Sequence, residues 1–391
     1  MNGRAFGRRV GAWAASAALV GMITACGGGA VDSAPSDEVQ GGAENGSAGA
    51  LVVIGGALAA DNAAIYRRVL DGRDGDGPVC VIPTASGSPE ESMASAVGRI
   101  DEHGGPGVAT GVLLTVDAPE RADDAAVVAQ LRECSGFFFT GGSQTRIVDT
   151  FRPEGRSTAA RDAVMERWNE GAVVAGTSAG AAMMGGRMIA GGVSLDAFEY
   201  GVGEAAGDDA ITIREGMGFF EAGWLDQHFL ARGRWGRLLM SALSEPPYAT
   251  GFGIDENTAL VVEGGQGEVV GASGVVVIDA RDGITLELLG AGDRVDLQTL
   301  AVAPAAGRSE LDTVESGPDD GVDPFARWQL LRDLAASPGA VLRYTVGDEA
   351  GTRLTLEPGP DYRALATAME GGPEGTPLGL SVGPYRVTVE R

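Results

Sequence analysis

The sequence predicts an α/β fold in which a mainly parallel sheet is covered by helices on both faces. Five short, unbroken apolar runs carry the prediction: Leu51–Ile54, Val79–Ile82, Gly111–Val116, Gly136–Thr140 and Ala172–Ala175. Helix-like stretches separate them, near Asn62–Leu70, Pro89–Glu102, Pro119–Glu133 and Ser157–Asn169. A run that is apolar at every position suits a strand buried on both faces, the environment of a parallel sheet between helical layers.

Gly55-Gly56 stops the first run, Pro83 the second and Gly141-Gly142 the fourth. In such sheets ligands bind beyond the C-terminal ends of the strands. The loops there are Gly55-Gly56, Thr84–Ser88, Gly141–Gln144 and Gly176–Gly180, and three of the four hold paired glycines or Gly-x-Ser-x-Gly, which lets the backbone approach a ligand. After Asp208 the pattern changes to strands near Ile211–Arg214, Gly251–Ile254, Ala259–Val262, Val269–Gly271, Gly274–Ile278 and Ile284–Leu289, with a helix near Arg234–Leu243. The principal domain is expected over residues 50–300. Residues 301–391 are expected to be an accessory α+β region without a chemical motif. There, Asp323-Pro324 starts a helix with Phe325, Trp328, Leu331 and Leu334 at helical spacing, and Leu342–Val346, Arg353–Leu356 and Tyr385–Val389 read as strands.

Composition excludes several functions. The net charge of −25 disfavours nucleic acid and an electrostatic hold on anionic lipid, since both need a basic surface. All 29 basic residues are Arg, so Walker-A lysines, Schiff bases and Ser–Lys dyads are ruled out. The only histidines are His103 and His228, and there are three Cys, so neither a three-His nor a four-Cys zinc site can form from this chain. No metal and no cofactor is expected.

Arg4, Arg8 and Arg9 precede an apolar run from Val10 to Ala25, which is short for a membrane span and suits a secretory signal. The run closes on Ile23-Thr24-Ala25-Cys26, which resembles a bacterial lipobox, in which the Cys is diacylated and becomes the first mature residue. Residues 1–25 are therefore expected to be a lipoprotein signal peptide, Cys26 the lipidation site and residues 26–49 a flexible tether. The expected location is the cell envelope, anchored by lipid to a bacterial membrane and facing the periplasm or the exterior. In such an oxidising compartment Cys80 and Cys134 either pair or remain buried thiols.

The chemistry centres on Ser178. The stretch from Val173 to Met184 reads strand, turn, helix, with Gly176-x-Ser178-x-Gly180 at the turn, the pattern of a nucleophile elbow. A Ser there sits at a helix N-terminus, and the N–H groups of Ala179 and Gly142 can act as oxyanion donors. Leu225-Asp226-Gln227-His228-Phe229 is followed by Arg232, Arg234 and Arg237, a cluster suited to holding a carboxylate. His103, in His-Gly-Gly-Pro, reads as the exposed end of a helix. Asp255 and Glu256 end a strand, so only one of them faces the site and can orient His228.

Together, Ile54-Gly55-Gly56, Gly141-Gly142-x-Gln144, Gly176-Thr177-Ser178-Ala179-Gly180-Ala181, Asp226-Gln227-His228-Phe229 with its three Arg, and Gly253-Ile254-Asp255-Glu256 resemble the cyanophycinase and peptidase E family of serine peptidases over about residues 50–300. The resemblance implies a class I glutamine-amidotransferase-like (flavodoxin-like) three-layer sandwich. It implies a serine exopeptidase that hydrolyses aspartyl or β-aspartyl-arginine bonds, with Ser178 as nucleophile and His228 as base. Gln144, Asp226, Gln227, Arg232, Arg234 and Arg237 would line the substrate pocket. Glu256 is the expected triad acid, with Asp255, Asp196 and Glu199 as alternatives. The chain departs from the family pattern at Ala57-Leu58-Ala59-Ala60-Asp61 and at Ser143, both near the expected substrate mouth. The expected partner is a peptide or polypeptide substrate, and assembly into a homodimer is left open. A different class, a surface lipoprotein that binds peptides on the same scaffold without catalysis, predicts an incomplete Ser/His/acid set.

Overall fold

Where strands alternate their side chains between two helical layers, the sequence has placed mostly apolar residues. Five such strands run parallel: β1 (Leu51–Ile54), β2 (Val79–Ile82), β3 (Ala109–Gly111), β4 (Gly136–Phe139) and β5 (Val173–Thr177). Their spatial order is β1-β5-β4-β2-β3. The structure is a computed structural model and describes residues 48–203, 207–245, 247–314, 323–346, 351–367, 371–377 and 379–390. The expected signal peptide, Cys26 and all but the last residues of the expected tether lie outside the described residues.

Val52, Ile54, Val79, Val81 and Phe138 point to one face, where Ile65, Tyr66 and Val69 of α1 (Ala63–Asp71) and Ile100 of α2 (Pro89–Gly104) cover them. Val53, Cys80, Ile82, Phe137 and Phe139 point to the other, under α3 (Ala125–Arg132), α4 (Gln144–Phe151) and α5 (Ala159–Asn169). Local chemistry sets the helix ends. Pro89 opens α2 with Glu90 and Glu91 in the first turn, and the Thr158 side chain accepts from the Arg161 N–H at the start of α5. Cys80 and Cys134 form a disulfide, which resolves the alternative left open above.

Four antiparallel strands extend this sheet beyond β1 to nine, beginning with Thr258–Glu263 and Gln266–Gly271. A second sheet of eight strands lies in the order Ser309–Glu310, Thr352–Ala366, Ser381–Glu390, Thr285–Gly290, Gly274–Asp279, Thr250–Ile254, Trp224–Gln227, with Leu342–Val346 paired to Thr352–Ala366. The chain after residue 300 thus adds strands to the sheet that carries Trp224–Gln227 and Thr250–Ile254. Contacts group residues Gly46–Arg391 into one unit.

The structure revises several element bounds. The third strand covers 109–111, whereas the apolar pattern puts it at 111–116; its neighbour β2 runs into Pro83, which has no N–H to continue the ladder. Pro119–Glu133 divides into a 3₁₀ turn over Pro119–Asp123 and α3, with the Asp124 carboxylate accepting from Ala126 N–H at the break. Helix α4 was hidden by its length, since eight residues show only two turns of apolar period. The helix expected from Asp323-Pro324 begins at Gln329, because Trp328 has a left-handed backbone (φ 52°) that no α-helix continues through.

Candidate active site

Ser178 follows β5 directly and adopts φ 56°, ψ −113°, before the short helix α6 (Ala179–Ala182). Two glycines make this turn sterically feasible. A Cβ on Gly176 would lie 2.1 Å from Gly180 O, and one on Gly180 would lie 2.3 Å from Phe139 O. The Ser178 N–H is tied to Ile54 O at 2.9 Å, which fixes the turn against the end of β1. Gly141, beyond β4, comes so close that a Cβ there would stand 3.7 Å from Ser178 Oγ. Among the described residues the N–H groups of Gly142 and Ala179 meet no protein acceptor.

His228 follows Trp224–Gln227, the strand at the edge of the second sheet, and has φ 49°. Its N–H donates to Gly55 O at 2.6 Å. Its Nε2 lies 2.9 Å from Ser178 Oγ and its Nδ1 lies 2.6 Å from Glu256 Oε1. A carboxylate accepts only, so Nδ1 carries the proton and donates to Glu256, leaving Nε2 to accept from the Ser178 hydroxyl. Burial holds the His228 pKa below its ordinary value of 6.5, with the Glu256 hydrogen bond opposing and Arg232 and Arg234 adding to the depression. The arrangement can therefore move a proton from Ser178 Oγ to His228 near neutral pH and keep the resulting imidazolium beside a carboxylate.

Of the candidate acids, only Glu256 reaches the imidazole. Asp255 turns into the protein, where its carboxylate accepts from Ala231 N–H (2.8 Å), Ser273 Oγ (2.7 Å) and Trp328 Nε1 (2.9 Å). Burial nevertheless raises its pKa. Asp196 caps its own helix through Val193 N–H, and Glu199 ends that helix.

The Asp-Gln-His and Arg stretch divides its duties. Asp226 and Arg237 are both buried and make a two-pronged pair at 2.6 and 2.7 Å, with Arg237 Nη1 also donating to Gly192 O. Arg234 donates to Gln227 O at 2.7 Å and lies 3.7 Å from Asp226, and burial lowers its pKa to about 10. Arg232 is exposed. Gln227 Oε1 lies 3.4 Å from Ser178 Oγ, at the outer limit of a hydrogen bond. Gln144 donates from its amide to Ile189 O at 2.9 Å and is buried. So Gln227 reaches Ser178, while Asp226 and Arg237 neutralise each other beneath it.

Three contributors carry no motif signal. Asn257, at φ 52°, donates its N–H to Gly56 O, and its Oδ1 accepts from Ala59 N–H and Asn62 Nδ2. Asn after an acidic pair at a strand end is a turn signal, since Asn tolerates the left-handed region. Trp328 and Ser273 hold Asp255 from 73 and 18 residues away, separations at which spacing says nothing. Among the described residues no group of three His, Cys, Asp or Glu side chains could hold a metal.

Residues 51–270 match peptidase family S51. The chain belongs to that family. It is a hydrolase of the serine-peptidase type, which agrees with the resemblance carried by its motifs. Curated relatives include the cyanophycinase of a Nostoc species, 32% identical over an alignment of 281 residues that covers 66% of this chain and 89% of the relative. Another is the cyanophycinase of Geminocystis herdmanii, 31% identical over 246 residues, covering 57% and 84%. Among solved structures, a peptidase from an acI-B1 actinobacterium aligns over 64% of this chain and 98% of its own, with TM-score 0.48 and 23% identity.

The buried Asp226–Arg237 pair generates a prediction. Removing one partner leaves a desolvated charge and costs about 3–5 kcal/mol. Arg237→Met should therefore lower Tm sharply, while Asp226→Leu/Arg237→Met together should recover a large part of the loss; thermal unfolding of the two variants beside the wild type reads this directly. The depressed His228 pKa generates another. With neutral imidazole as the acting form, kcat/KM should rise with pH through an acidic limb centred below 6.5. Arg232→Gln removes a cation that disfavours imidazolium, so the limb should move to higher pH, measured as a full pH–rate profile of both proteins.

Proposed function

We propose that this chain is an exported serine exopeptidase that hydrolyses aspartyl or β-aspartyl-arginine bonds, as in a cyanophycin-like polymer of aspartate carrying arginine. The carrying observation is the continuous chain Ser178 Oγ–His228–Glu256 at 2.9 and 2.6 Å. The cyanophycinase relatives support the substrate class.

In this reading Ser178 Oγ attacks the scissile carbonyl carbon while its proton passes to His228 Nε2. The carbonyl π pair moves to oxygen, and the N–H groups of Gly142 and Ala179 receive that oxyanion. The oxyanion collapses, the C–N bond breaks, and His228 returns its proton to the leaving amine. An acyl-enzyme on Ser178 remains. Water then attacks the ester carbon, gives its proton to His228, and the C–Oγ bond breaks as Ser178 recovers a proton. Glu256 keeps the imidazole in one tautomer and stabilises the imidazolium in both halves. The aspartyl carboxylate is met by Arg232, the exposed member of the Arg cluster, and Gln227 orients the acyl group beside Ser178.

The decisive experiment is incubation of the mature protein with cyanophycin and a β-aspartyl dipeptide panel, beside Ser178→Ala. Ser178→Ala and His228→Ala should each lower kcat by roughly 10³-fold or more, and the double variant should be no worse than either, because nucleophile and base act as one unit. Additive losses would contradict the shared role.

The export and anchoring rest on the sequence of residues 1–26. Cys26→Ser should block signal processing or release the protein from the membrane fraction, followed by fractionation and mass spectrometry of the N-terminus. A wild-type protein already soluble after processing would exclude the lipid anchor.

A further inference from the structure

Ser178 and His228 form part of the wall of a cavity of about 510 Å³ whose lining includes none of Arg232, Arg234 and Arg237. Its floor is apolar, made by Ala57, Leu58 and Phe138. Tyr66, Ser92, Ser95 and Thr177 also line the cavity, and two further polar groups differ from them in how they are satisfied. Thr140 is 3% exposed, lines the cavity and has an Oγ1 with no hydrogen-bond partner. Arg99, on α2, is the cavity's one arginine; it is exposed, donates a long 3.4 Å bond to Leu58 O and interacts with the neighbouring Tyr66 hydroxyl. Among the described residues it makes no ion pair, whereas Arg234 and Arg237 are engaged with Asp226.

A buried hydroxyl without a partner carries a desolvation penalty, and it is tolerated where a ligand group completes it. A guanidinium without a carboxylate partner on a chain of net charge −25 makes a spot of positive potential in a field that on the whole repels anions. An apolar floor between the two fits a short aliphatic stem.

We propose that this cavity is a second substrate subsite, which binds a carboxylate-bearing residue next to the scissile bond, with Arg99 pairing the carboxylate and Thr140 Oγ1 bonding a polar atom of the same residue. The proposal rests on the peptidase reading for its choice of ligand class. It makes the side of Ser178 away from the Arg cluster selective as well, so that both flanks of the scissile bond would be read by arginine.

The test separates the two ideas. Binding is measured by calorimetry on Ser178→Ala protein, which does not turn over its ligand, with β-aspartyl-arginine and its two mono-amides, each lacking one carboxylate. Arg99→Gln in that background should weaken the free acid by about tenfold or more, and one amide should already show that loss, with no further effect of Arg99→Gln on it. Thr140→Val should weaken binding severalfold without lowering Tm, because the lost hydroxyl has no partner within the protein. The subsite is overturned if the ligand does not bind, if Arg99→Gln acts equally on the acid and both amides, or if Thr140→Val leaves affinity unchanged. Ser178-dependent cleavage of the same peptides by otherwise wild-type protein tests the peptidase reading on its own. Cleavage without the Arg99 coupling sinks only the subsite, whereas coupling without cleavage sinks only the reading.

Discussion

The seat of one imidazole governs the geometry around it. His228 adopts a left-handed backbone, and its ring fills the space over Gly56 so closely that a Cβ there would stand 2.3 Å from His228 Cε1. Gly56 is therefore required twice, for its φ of 109° and for its missing side chain. The neighbouring Gly55 takes the His228 N–H, and Gly56 O takes the Asn257 N–H. Three chain ends are thus locked together: the end of β1, the end of Trp224–Gln227, and the Asp255–Asn257 turn. Only when all three meet does Nε2 face Ser178 while Nδ1 faces Glu256.

That junction is stiffened by buried charges that pair with one another or with neighbouring N–H groups. Asp226–Arg237 ties the strand before His228 to the helix after it. Asp255 holds the Ala231 N–H, and Trp328 reaches it from the far end of the chain. The same C-terminal segment accepts the Trp235 indole at Pro324 O and donates Trp328 N–H to Leu230 O. The region after residue 300 carries no chemical motif, yet it clamps the loop that bears Arg232 and Arg234. Its strands also pair with Thr285–Gly290, so the second sheet that orients His228 is completed by the C-terminus.

What could be read from sequence was local. The parallel strands were legible because continuous apolar runs are what two-sided burial demands. Ser178 stood out because Gly176 and Gly180 flank it at a strand-to-helix turn, whereas alternation at a strand end showed only that one of Asp255 and Glu256 could face His228, not which. Non-local partnerships were not. Three Arg in six positions look alike in a sequence, but the fold puts Asp226 beneath Arg237 and leaves Arg232 in solvent. Nothing in the spacing marks Trp328 as a partner of Asp255, because the contact exists only once the second sheet closes. Arg99 and Thr140 escaped notice for the same reason: one sits on a helix face and the other just past a strand, and only the fold brings them to one cavity.

Net charge and local charge therefore have to be weighed separately. A chain at −25 repels anionic groups at long range, though salt screens that repulsion beyond about 8–10 Å. Within that distance the site presents guanidinium groups that differ in what they have left to offer. Arg237 is fully engaged by Asp226, and Arg234 is buried enough that its pKa falls to about 10. Arg234 and the exposed Arg232 also keep His228 from charging, because each opposes imidazolium. Arg232 and Arg99 are the exposed cations, placed on the Arg-cluster side and the cavity side respectively. One Arg-rich stretch thus holds arginines that are buried and set geometry, and an exposed one, Arg232, that acts on His228 while its side chain faces solvent.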